Sequence, residues 1–460
     1  MSFDWQTEDR DWDEREPPRH KGRPADLPPL DERLFAGLEP TAAPDATGTR
    51  NWRRRLAFLG VAGFLAIAVA GVVYWQVARR TAAAQERITA EVAASQAILL
   101  EAVRANDAEL FVSFLSGRDR EWAQAQERLV RDGGFLGRSA FDLTWDPLAR
   151  PVTPTVTLAP DLLSAELIAP NRYVLDVGNG VMESVTLMQT AVFRQGPDRW
   201  LFSPPTAAFW GEDGAAGSRY VRLRYPGRDA AIAERLARDL DATLAEFCRN
   251  VSEACVEQGQ LELTLSTDPA SLAAYADPRA AWAGGSALVL PAPTLFGRPV
   301  DEAGYRALSR AYAGRVVSAA AANLSGWACC DDALFYGALR DALLHRLGLQ
   351  AWPVGPDDYE WLIDHPDLVS GVARMWGSNG AGATADERRA VYALVDFLTR
   401  RDSSVSIVEM QQLLINDLNT PYWDWLSQVT RGAYGSQADF ERDLLRYAAE
   451  RVAADPLSLQ

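Results

Sequence analysis

The sequence predicts an α+β protein in which a single transmembrane helix is followed by two folded units. One 20-residue run carries no charge, a later stretch changes from helical periodicity to alternation with period two, and the last part returns to helical periodicity around a few short strands. We therefore expect a tail over residues 1–50, a membrane segment over 51–80 and folded units over 81–212 and 219–460. A linker over 213–218 is expected to separate the two units.

Composition and charge exclude several classes of function. The net charge of −16 argues against nucleic-acid binding, which usually needs a basic surface, so no nucleic-acid partner is expected. Lys21 is the one lysine of the chain, and this preference for arginine favours a bacterial source. Beyond the first 50 residues no lysine is left for a Schiff base or a phosphate-binding loop. The imidazoles in that part are those of His345 and His365.

The predicted membrane span covers residues 56–75, LAFLGVAGFLAIAVAGVVYW, from Leu56 to Trp75. Its length matches the ~20 apolar residues that cross a hydrocarbon core, and Tyr74 with Trp75 is typical of an interfacial aromatic belt. The flanking arginines are slightly more numerous before the span (Arg50, Arg53, Arg54, Arg55) than after it (Arg79, Arg80, Arg87). This bias predicts a single-pass protein of the bacterial cell membrane with a cytoplasmic N-terminus and extracytoplasmic C-terminal units.

The tail over residues 1–50 combines charged residues with prolines and has few residues that could form a core, which predicts disorder. Trp5, Trp12 and Phe35 could anchor a cytoplasmic protein partner. A solvated tail without a specific partner is the alternative.

The first exported unit begins with helical periodicity over residues 81–116 and 120–131 and continues with short alternating runs, with Asn179-Gly180 as a hairpin turn. Helices followed by a meandering sheet that ends in RWLFSPPTAAFWGE resemble the NTF2-like (SnoaL-type) cone fold over about residues 85–212. The resemblance implies a pocket that is catalytic, ligand-binding or filled. Because this stretch has no histidine and neither Asp142 nor Asp176 can be assigned to the pocket, we expect aromatic and aliphatic side chains to fill it.

The second exported unit has a strongly amphipathic helix over residues 229–250, strands such as LELTLS and ALVLP, and then mostly helices. This order resembles the peptidase-MA-like branch of the gluzincin metallopeptidases over about residues 219–450. In that branch an H-E-x-x-H motif would occupy the frame of RDALLHRLG that runs from Asp341 to His345. A later helix adds a carboxylate ligand there.

Carried over residue by residue, only His345 matches the family motif. Asp341 stands in the place of the first histidine and Ala342 in the place of the general base. Aspartate can bind zinc, but a methyl group cannot accept a proton from metal-bound water, a role that contributes about 10²–10⁴-fold in rate. We expect a degenerate peptidase unit without a cofactor; zinc on Asp341 and His345 belongs to the alternative that the protein is an enzyme.

The cysteines fall into two pairs. Cys248 and Cys255 could close a short loop as a disulfide, which an exported compartment would permit. Cys329 and Cys330 are adjacent, lack zinc-ribbon spacing and are typical of small buried residues.

Together these features predict a membrane-anchored extracytoplasmic protein that binds or senses an unknown ligand without catalysis. One alternative is a zinc-dependent peptidase, or another hydrolase, with non-standard ligands. Another is a structural protein of the cell envelope.

Overall fold

The computed structural model is mixed α and β and describes residues 49–454 with internal gaps. The gaps are residues 147–151, 177–181, 252–254, 256–259, 277–286, 327–333, 377–382, 401–404 and 417–419. The turn at Asn179-Gly180, the pair Cys329 and Cys330, and nearly all of the predicted tail lie outside the described residues. Contacts divide the chain into two compact units, Met1–Arg79 and Arg80–Gln460.

The first helix, α1, runs over Thr49–Arg104. Among the described residues, no helix combines the length and the apolar character that a membrane span requires. The predicted span lies on α1, and the side chains of its N-terminal part, including Leu56, lie outside the described residues. Towards its end, Tyr74 and Trp75 are exposed.

A sheet built around one long hairpin forms the centre of the N-terminal half of the Arg80–Gln460 unit. Strands β3 (Ser164–Asp176) and β4 (Met182–Gln195) pair antiparallel along their whole length, and every other pairing of this sheet is also antiparallel. The flanking strands are β1 (Leu143–Trp145) and β2 (Thr155–Leu158) on β3, with β5 (Trp200–Ser203) on β4. The sequence suggests a break at Pro170, but β3 continues through it. Pro170 lies between the segments paired with β2 and β1, so it sits on a locally open edge where a proline is tolerated.

Short helices pack on this sheet together with the C-terminal part of α1. They are α2 (Ala108–Ser113), α3 (Arg120–Arg131) and α4 (Ala207–Trp210). Asp107 and Asp119 cap the N-termini of α2 and α3 by accepting hydrogen bonds from Leu110 N and Trp122 N. The buried residues of α1, α2, α3, β3, β4 and β5 form a core that we call the helix cluster: Val92, Leu99, Ala102, Phe111, Phe114, Leu115, Trp122, Val130, Ala165, Leu167, Ala169, Phe193, Trp200 and Phe202.

Most of residues 213–218, expected to be a linker, form an edge strand instead. β6 (Asp213–Gly217) pairs antiparallel with β7 (Val221–Pro226), and the small residues of β6 let the strands approach closely. A Cβ at Gly214 would lie 2.4 Å from Cε2 of Tyr225, so only glycine fits there. Gly214, one of the two glycines that suggested a flexible linker, is therefore explained by packing on a ring.

The second sheet has the order β6-β7-β8-β9, with β8 (Leu261–Ser266) and β9 (Ala287–Pro291) parallel to β7. Two helices connect the parallel strands, α5 (Ala230–Val251) and α6 (Pro269–Ala276). The expected apolar face of α5 is buried: Leu236, Leu240, Leu244 and Phe247.

The rest of the chain is mainly helical. Its helices are α7 (Pro293–Phe296), α8 (Glu302–Ser325), α9 (Leu334–Arg346), α10 (Pro356–Asp364), α11 (Pro366–Met375), α12 (Ala385–Arg400), α13 (Ile407–Asn416), α14 (Tyr422–Val429) and α15 (Gln437–Ala453).

The two halves of the Arg80–Gln460 unit share a sheet and a core. Strand β10 (Arg298–Pro299) follows α7 in the chain but pairs with β4 of the first sheet. A second core, which we call the large cluster, contains Tyr173, Leu187 and Val185 of the hairpin together with residues of both sheets and most later helices. The segments expected as separate units are thus continuous through this core.

Candidate functional site

A cavity lies where the helix cluster and the large cluster meet along the β3–β4 hairpin. Alternation along β3 turns Ala165, Leu167 and Ala169 towards the helix cluster and Tyr173 and Leu175 towards the large cluster. Asn171 has the same parity and falls between them. The inward face is therefore apolar at both ends and polar in the middle.

Gln189 makes the same interruption on β4. The inward series there is Val185, Leu187, Gln189, Ala191 and Phe193. Residues 189 and 171 are diagonal neighbours, since Gln189 pairs with Ala169 and Asn171 pairs with Leu187. The two amides therefore lie side by side in the hairpin.

The inner cavity, of ≈ 70 Å³, opens at this point. That volume corresponds to about two water molecules at the ~30 Å³ that each occupies in the liquid. Its wall contains Gln96 and Leu100 of α1, Trp122 and Gln126 of α3, and Arg138 from the loop after α3. The later half of the chain completes it with Pro269, Leu272, Thr294 and Leu295. Most of the lining residues are aromatic or aliphatic, and the polar side chains set among them include Gln96, Gln126, Arg138, Asn171 and Gln189. That such side chains fill the pocket stays a prediction.

Arg138 is a buried cation in that wall, with 3% of its surface exposed. Its Nη1 donates to the carbonyl oxygens of Gly134 (2.6 Å), Phe135 (3.0 Å) and Gly137 (2.7 Å). Its Nε donates to Phe296 O at 2.9 Å. The loop thus wraps its carbonyls around the guanidinium, and α7 supplies a fourth.

Glycines make this loop possible. Gly133, with φ of +68°, ends α3 in the left-handed conformation. A Cβ at Gly137 would lie 2.4 Å from Gly133 O, the acceptor for the Gly137 amide. Arg138 therefore owes its place to a turn that other residues would disrupt.

No carboxylate neutralises Arg138 among the described residues. Its charged and polar neighbours are the phenols of Tyr173 and Tyr312, and burial lowers the pKa of the guanidinium. No described residue accepts a hydrogen bond from Nη2. An unmatched buried cation is rare because desolvating a charge costs several kcal/mol.

Two further polar groups of the cavity wall are side-chain amides. Gln96 is 8% and Gln126 6% exposed, and neither side chain is hydrogen-bonded to any described residue. Buried polar groups almost always have a hydrogen-bond partner, so these amides have capacity left for water or a ligand.

Tyr173 adds a buried hydroxyl next to the cavity. It lies beside Asn171 and Gln189 but forms no hydrogen bond of normal geometry, and burial raises its pKa. The Gln189 amide instead donates to Phe296 O at 3.2 Å, the oxygen that Arg138 Nε also uses.

An outer groove of ≈ 760 Å³ adjoins the inner cavity and shares Gln96, Leu100 and Asn171 with it. The groove occupies the gap between β1 and β2 on the edge of β3. Its charged residues are Arg104, Asp146 and Arg172. The Arg104 guanidinium lies 5.4 Å from the centre of the Trp145 ring.

The peptidase-like frame lies on α9, and its side chains form other contacts. Asp341 is 6% exposed, and its Oδ1 accepts hydrogen bonds from Arg340 at 2.9 and 2.7 Å. Its Oδ2 accepts from the Tyr392 hydroxyl at 2.6 Å. Ala342 is buried and supplies no base.

His345 is half-buried at the end of α9. Its Nδ1 lies 3.1 Å from Gln350 O, so this nitrogen carries the proton, and its ring packs 5.9 Å from that of Trp352. Trp352 packs in turn on Tyr392. His365 is elsewhere, stacked on Trp361.

These residues do not fit a catalytic zinc centre. A divalent cation on Asp341 would face Arg340 and displace Tyr392, and the position of the base holds a methyl group. Within the described residues no three His, Cys, Asp or Glu side chains are grouped as metal ligands.

Cys248, at the end of α5, is bonded to Cys255, with their Cα atoms 5.5 Å apart. The bond closes the loop that leads towards β8.

Comparisons with protein-family models, with curated proteins and with solved structures find no match to this chain.

Sequence reasoning missed the residues that build the cavity. A signal was present, because Asn171 and Gln189 are polar positions in otherwise apolar alternating runs. Arg138 gave no such signal, because its burial depends on contacts with the later half of the chain.

Proposed function

We propose that this protein is a single-pass membrane protein whose extracytoplasmic part binds a small ligand in the inner cavity without turning it over. The observation that supports this most directly is the set of buried polar groups in the cavity wall that have hydrogen-bonding capacity left. A cavity with such groups is suited to reversible binding. The engaged side chains of the Asp341–His345 frame favour binding over catalysis.

Membrane anchoring rests on the uncharged run over residues 56–75 and on its flanking arginines. The bonded pair Cys248 and Cys255 supports an exported location, because disulfides persist in oxidising compartments. In this proposal the N-terminus stays in the cytoplasm, where residues 1–50 meet a protein partner.

Topology can be tested by adding protease to intact spheroplasts that carry the full chain with a tag at each terminus. We expect loss of the C-terminal tag and protection of the N-terminal tag. Protection of both tags, or the reverse pattern, would overturn the anchoring or its direction.

The zinc-peptidase alternative predicts a different result for metal content. The full chain, purified and exchanged against zinc, is expected to retain no stoichiometric metal by mass spectrometry. Zinc that is lost in His345→Ala and kept in the matched variant His365→Ala would replace binding with metal-dependent catalysis. Zinc on Asp341 and His345 would then be the cofactor.

The tail can be tested with residues 1–50 as bait in a cytoplasmic extract. A partner that no longer binds when Trp5 and Trp12 are both changed to alanine would support signalling. Equal recovery of the partner by the unchanged tail and by the doubly substituted tail would contradict specific binding through these tryptophans. A structural envelope role remains the proposal if neither a ligand nor a partner binds.

A further inference from the structure

We propose that the inner cavity selects an organic carboxylate, whose head group pairs with Arg138 while its apolar body extends towards the outer groove. This inference rests on the proposed ligand-binding function and adds the chemical class of the ligand. It is carried by one unneutralised buried cation and two buried amides in a single wall.

Arg138 carries the positive charge that the carboxylate would match. Arg138 has Nη1 and Nε occupied by neutral carbonyls, and Nη2 is left without an acceptor among the described residues. Four carbonyl dipoles hold the guanidinium in one orientation but leave its charge in place. A carboxylate supplies the missing negative charge and an acceptor for Nη2, and charge-assisted pairs of this kind are the strong hydrogen bonds of proteins.

The amides make the head group specific. Gln96 and Gln126 reach the cavity from two different helices, and each has an N–H₂ group available to donate to a second acceptor oxygen. An ammonium group would meet Arg138 at the same place and be repelled. A neutral amide would satisfy hydrogen bonds but leave the charge unmatched.

The apolar surroundings define the body of the ligand. Trp122, Phe135 and Phe202 line the inner cavity, and their rings pack edge to face in the helix cluster. An inner cavity of ≈ 70 Å³ has space for a head group and little more, so the remainder must extend past Leu100 into the adjoining groove of ≈ 760 Å³. Arg104 and Arg172 of the groove favour entry of an anion into a chain whose net charge is −16.

Arg138 also ties the loop after α3 to α7, and this structural role alone would explain its burial. It does not explain why, within the described part of the chain, the side chains of Gln96 and Gln126 in the same wall form no hydrogen bond. A purely structural arginine predicts no preference between acids and amides, and this difference can be measured.

The test uses the full chain in lipid nanodiscs and three series of probes matched in shape. The acids are isobutyrate, benzoate and phenylacetate; the amides are isobutyramide, benzamide and phenylacetamide; the amines are isobutylamine, benzylamine and phenethylamine. Dissociation constants are measured by saturation-transfer NMR titration at pH 7. We expect at least one acid to bind ten- to a hundredfold more tightly than its amide, as one charge-assisted hydrogen bond implies, and the amines not to bind.

Two variants place that preference in this cavity. Gln126→Glu introduces a carboxylate into the wall that also contains Arg138 and is expected to abolish acid binding while the fold remains. Gln124→Glu makes the same change on an exposed position of α3 and is expected to leave binding unchanged. Arg138→Met removes the hydrogen bond that joins the loop after α3 to α7 and could unfold the chain. The test therefore uses Gln126→Glu and Gln124→Glu.

The outcomes separate the two proposals. Amides that bind as well as acids would overturn the carboxylate inference and leave ligand binding standing. Acid binding that survives Gln126→Glu would also overturn the inference, because the anion would then sit elsewhere. If no probe of any charge binds at millimolar concentration, both the inference and the proposed function fail.

Discussion

Asp341 shows at the level of one residue how a position typical of a metal ligand serves a structural purpose. Its carboxylate is shared between the guanidinium of Arg340, beside it on α9, and the Tyr392 hydroxyl of α12. The two side chains of the ion pair are 19% and 9% exposed, so the pair is largely shielded from water. Burial, followed by the Asp341 charge, raises the pKa of Tyr392 well above its usual range.

Replacing Asp341 with alanine is therefore expected to lower the free energy of unfolding by about 3 kcal/mol, since it removes a buried charge partner and the acceptor of a buried hydroxyl. Urea denaturation measures the change. Glu360→Ala, at an exposed position of α10, is the control and should cost less than about 0.5 kcal/mol. Equal effects of both substitutions would show that the contacts of Asp341 contribute nothing.

Asp229 gives a prediction about pH. It is 1% exposed, and its Oδ1 accepts from Thr294 Oγ1 at 2.7 Å and its Oδ2 from Thr294 N at 3.3 Å. Burial raises the pKa of this carboxyl above its model-compound value of 3.8, against the opposing effect of Thr294. Folding therefore favours the protonated form. Its contribution to stability is complete below the unfolded pKa and is lost as pH rises through the folded pKa.

Asp229→Asn does not titrate, so the stability of the wild type relative to this variant is expected to fall as pH rises above 3.8, the ordinary pKa of the carboxyl, and through its raised folded-state pKa. Unfolding at a series of pH values gives this difference directly. Thr294→Val removes the hydroxyl that donates to the Asp229 carboxylate but keeps the backbone N–H, and it is expected to move the dependence to higher pH. Parallel stability profiles for the wild type and Asp229→Asn would contradict the assignment.

The two strands β6 and β3 show, at the level of elements, what the sequence allows one to predict. The amphipathic face of α5 and the strands β7, β8 and β9 follow from periodicity alone, because each buries one regular face. β6 does not, because its glycine and alanine residues carry no clear apolar pattern, and Gly214 is needed only for the close approach to Tyr225. β3 looks interrupted at Pro170, since the gap between β1 and β2 that accommodates the proline is a property of the whole sheet.

Dependence on the whole fold also explains why the candidate site could not be predicted from the sequence. Asn171 and Gln189 can be recognised as inward only when the register of β3 and β4 is known. The wall also needs Thr294, which is over a hundred residues further along the chain. The spacing of residues along the sequence does not reveal contacts between positions so far apart in the chain.

Gly214 provides a test of β6. Gly214→Ala is expected to destabilise the protein by about 1–3 kcal/mol, because the new Cβ would overlap the Tyr225 ring. Gly217→Ala lies on the same strand with nothing within 4 Å and is the matched control, expected to be close to neutral. Thermal denaturation of both variants decides the matter, and equal melting temperatures would contradict the packing described for β6.

The Arg80–Gln460 unit as a whole is held together by pairing and packing between segments far apart in sequence. β10 extends the first sheet, and Phe296 packs 4.2 Å from the ring of Phe141 in the large cluster. Because the two halves of this unit share a core, neither half can unfold without exposing apolar side chains of the other.

We therefore expect one cooperative transition for the β3–β4 hairpin and for α12. Hydrogen exchange followed by mass spectrometry at increasing denaturant should show peptides from both losing protection together. Phe296→Ala, which leaves a cavity in the shared core, is expected to lower both midpoints by an equal amount, corresponding to about 3 kcal/mol. Earlier loss in the hairpin alone would indicate two independent domains.

One peptide oxygen joins the two halves at the site. Phe296 O, at the last residue of α7, accepts from Arg138 and Gln189 at once, and the next residue is Gly297 with φ of +117°. Rotation of that carbonyl would remove the acceptor of Arg138 Nε and of the Gln189 amide together, while Arg138 Nη1 would keep its three carbonyls in the loop after α3. The Phe296 peptide is therefore a point at which α7 is hydrogen-bonded both to the loop after α3 and to β4.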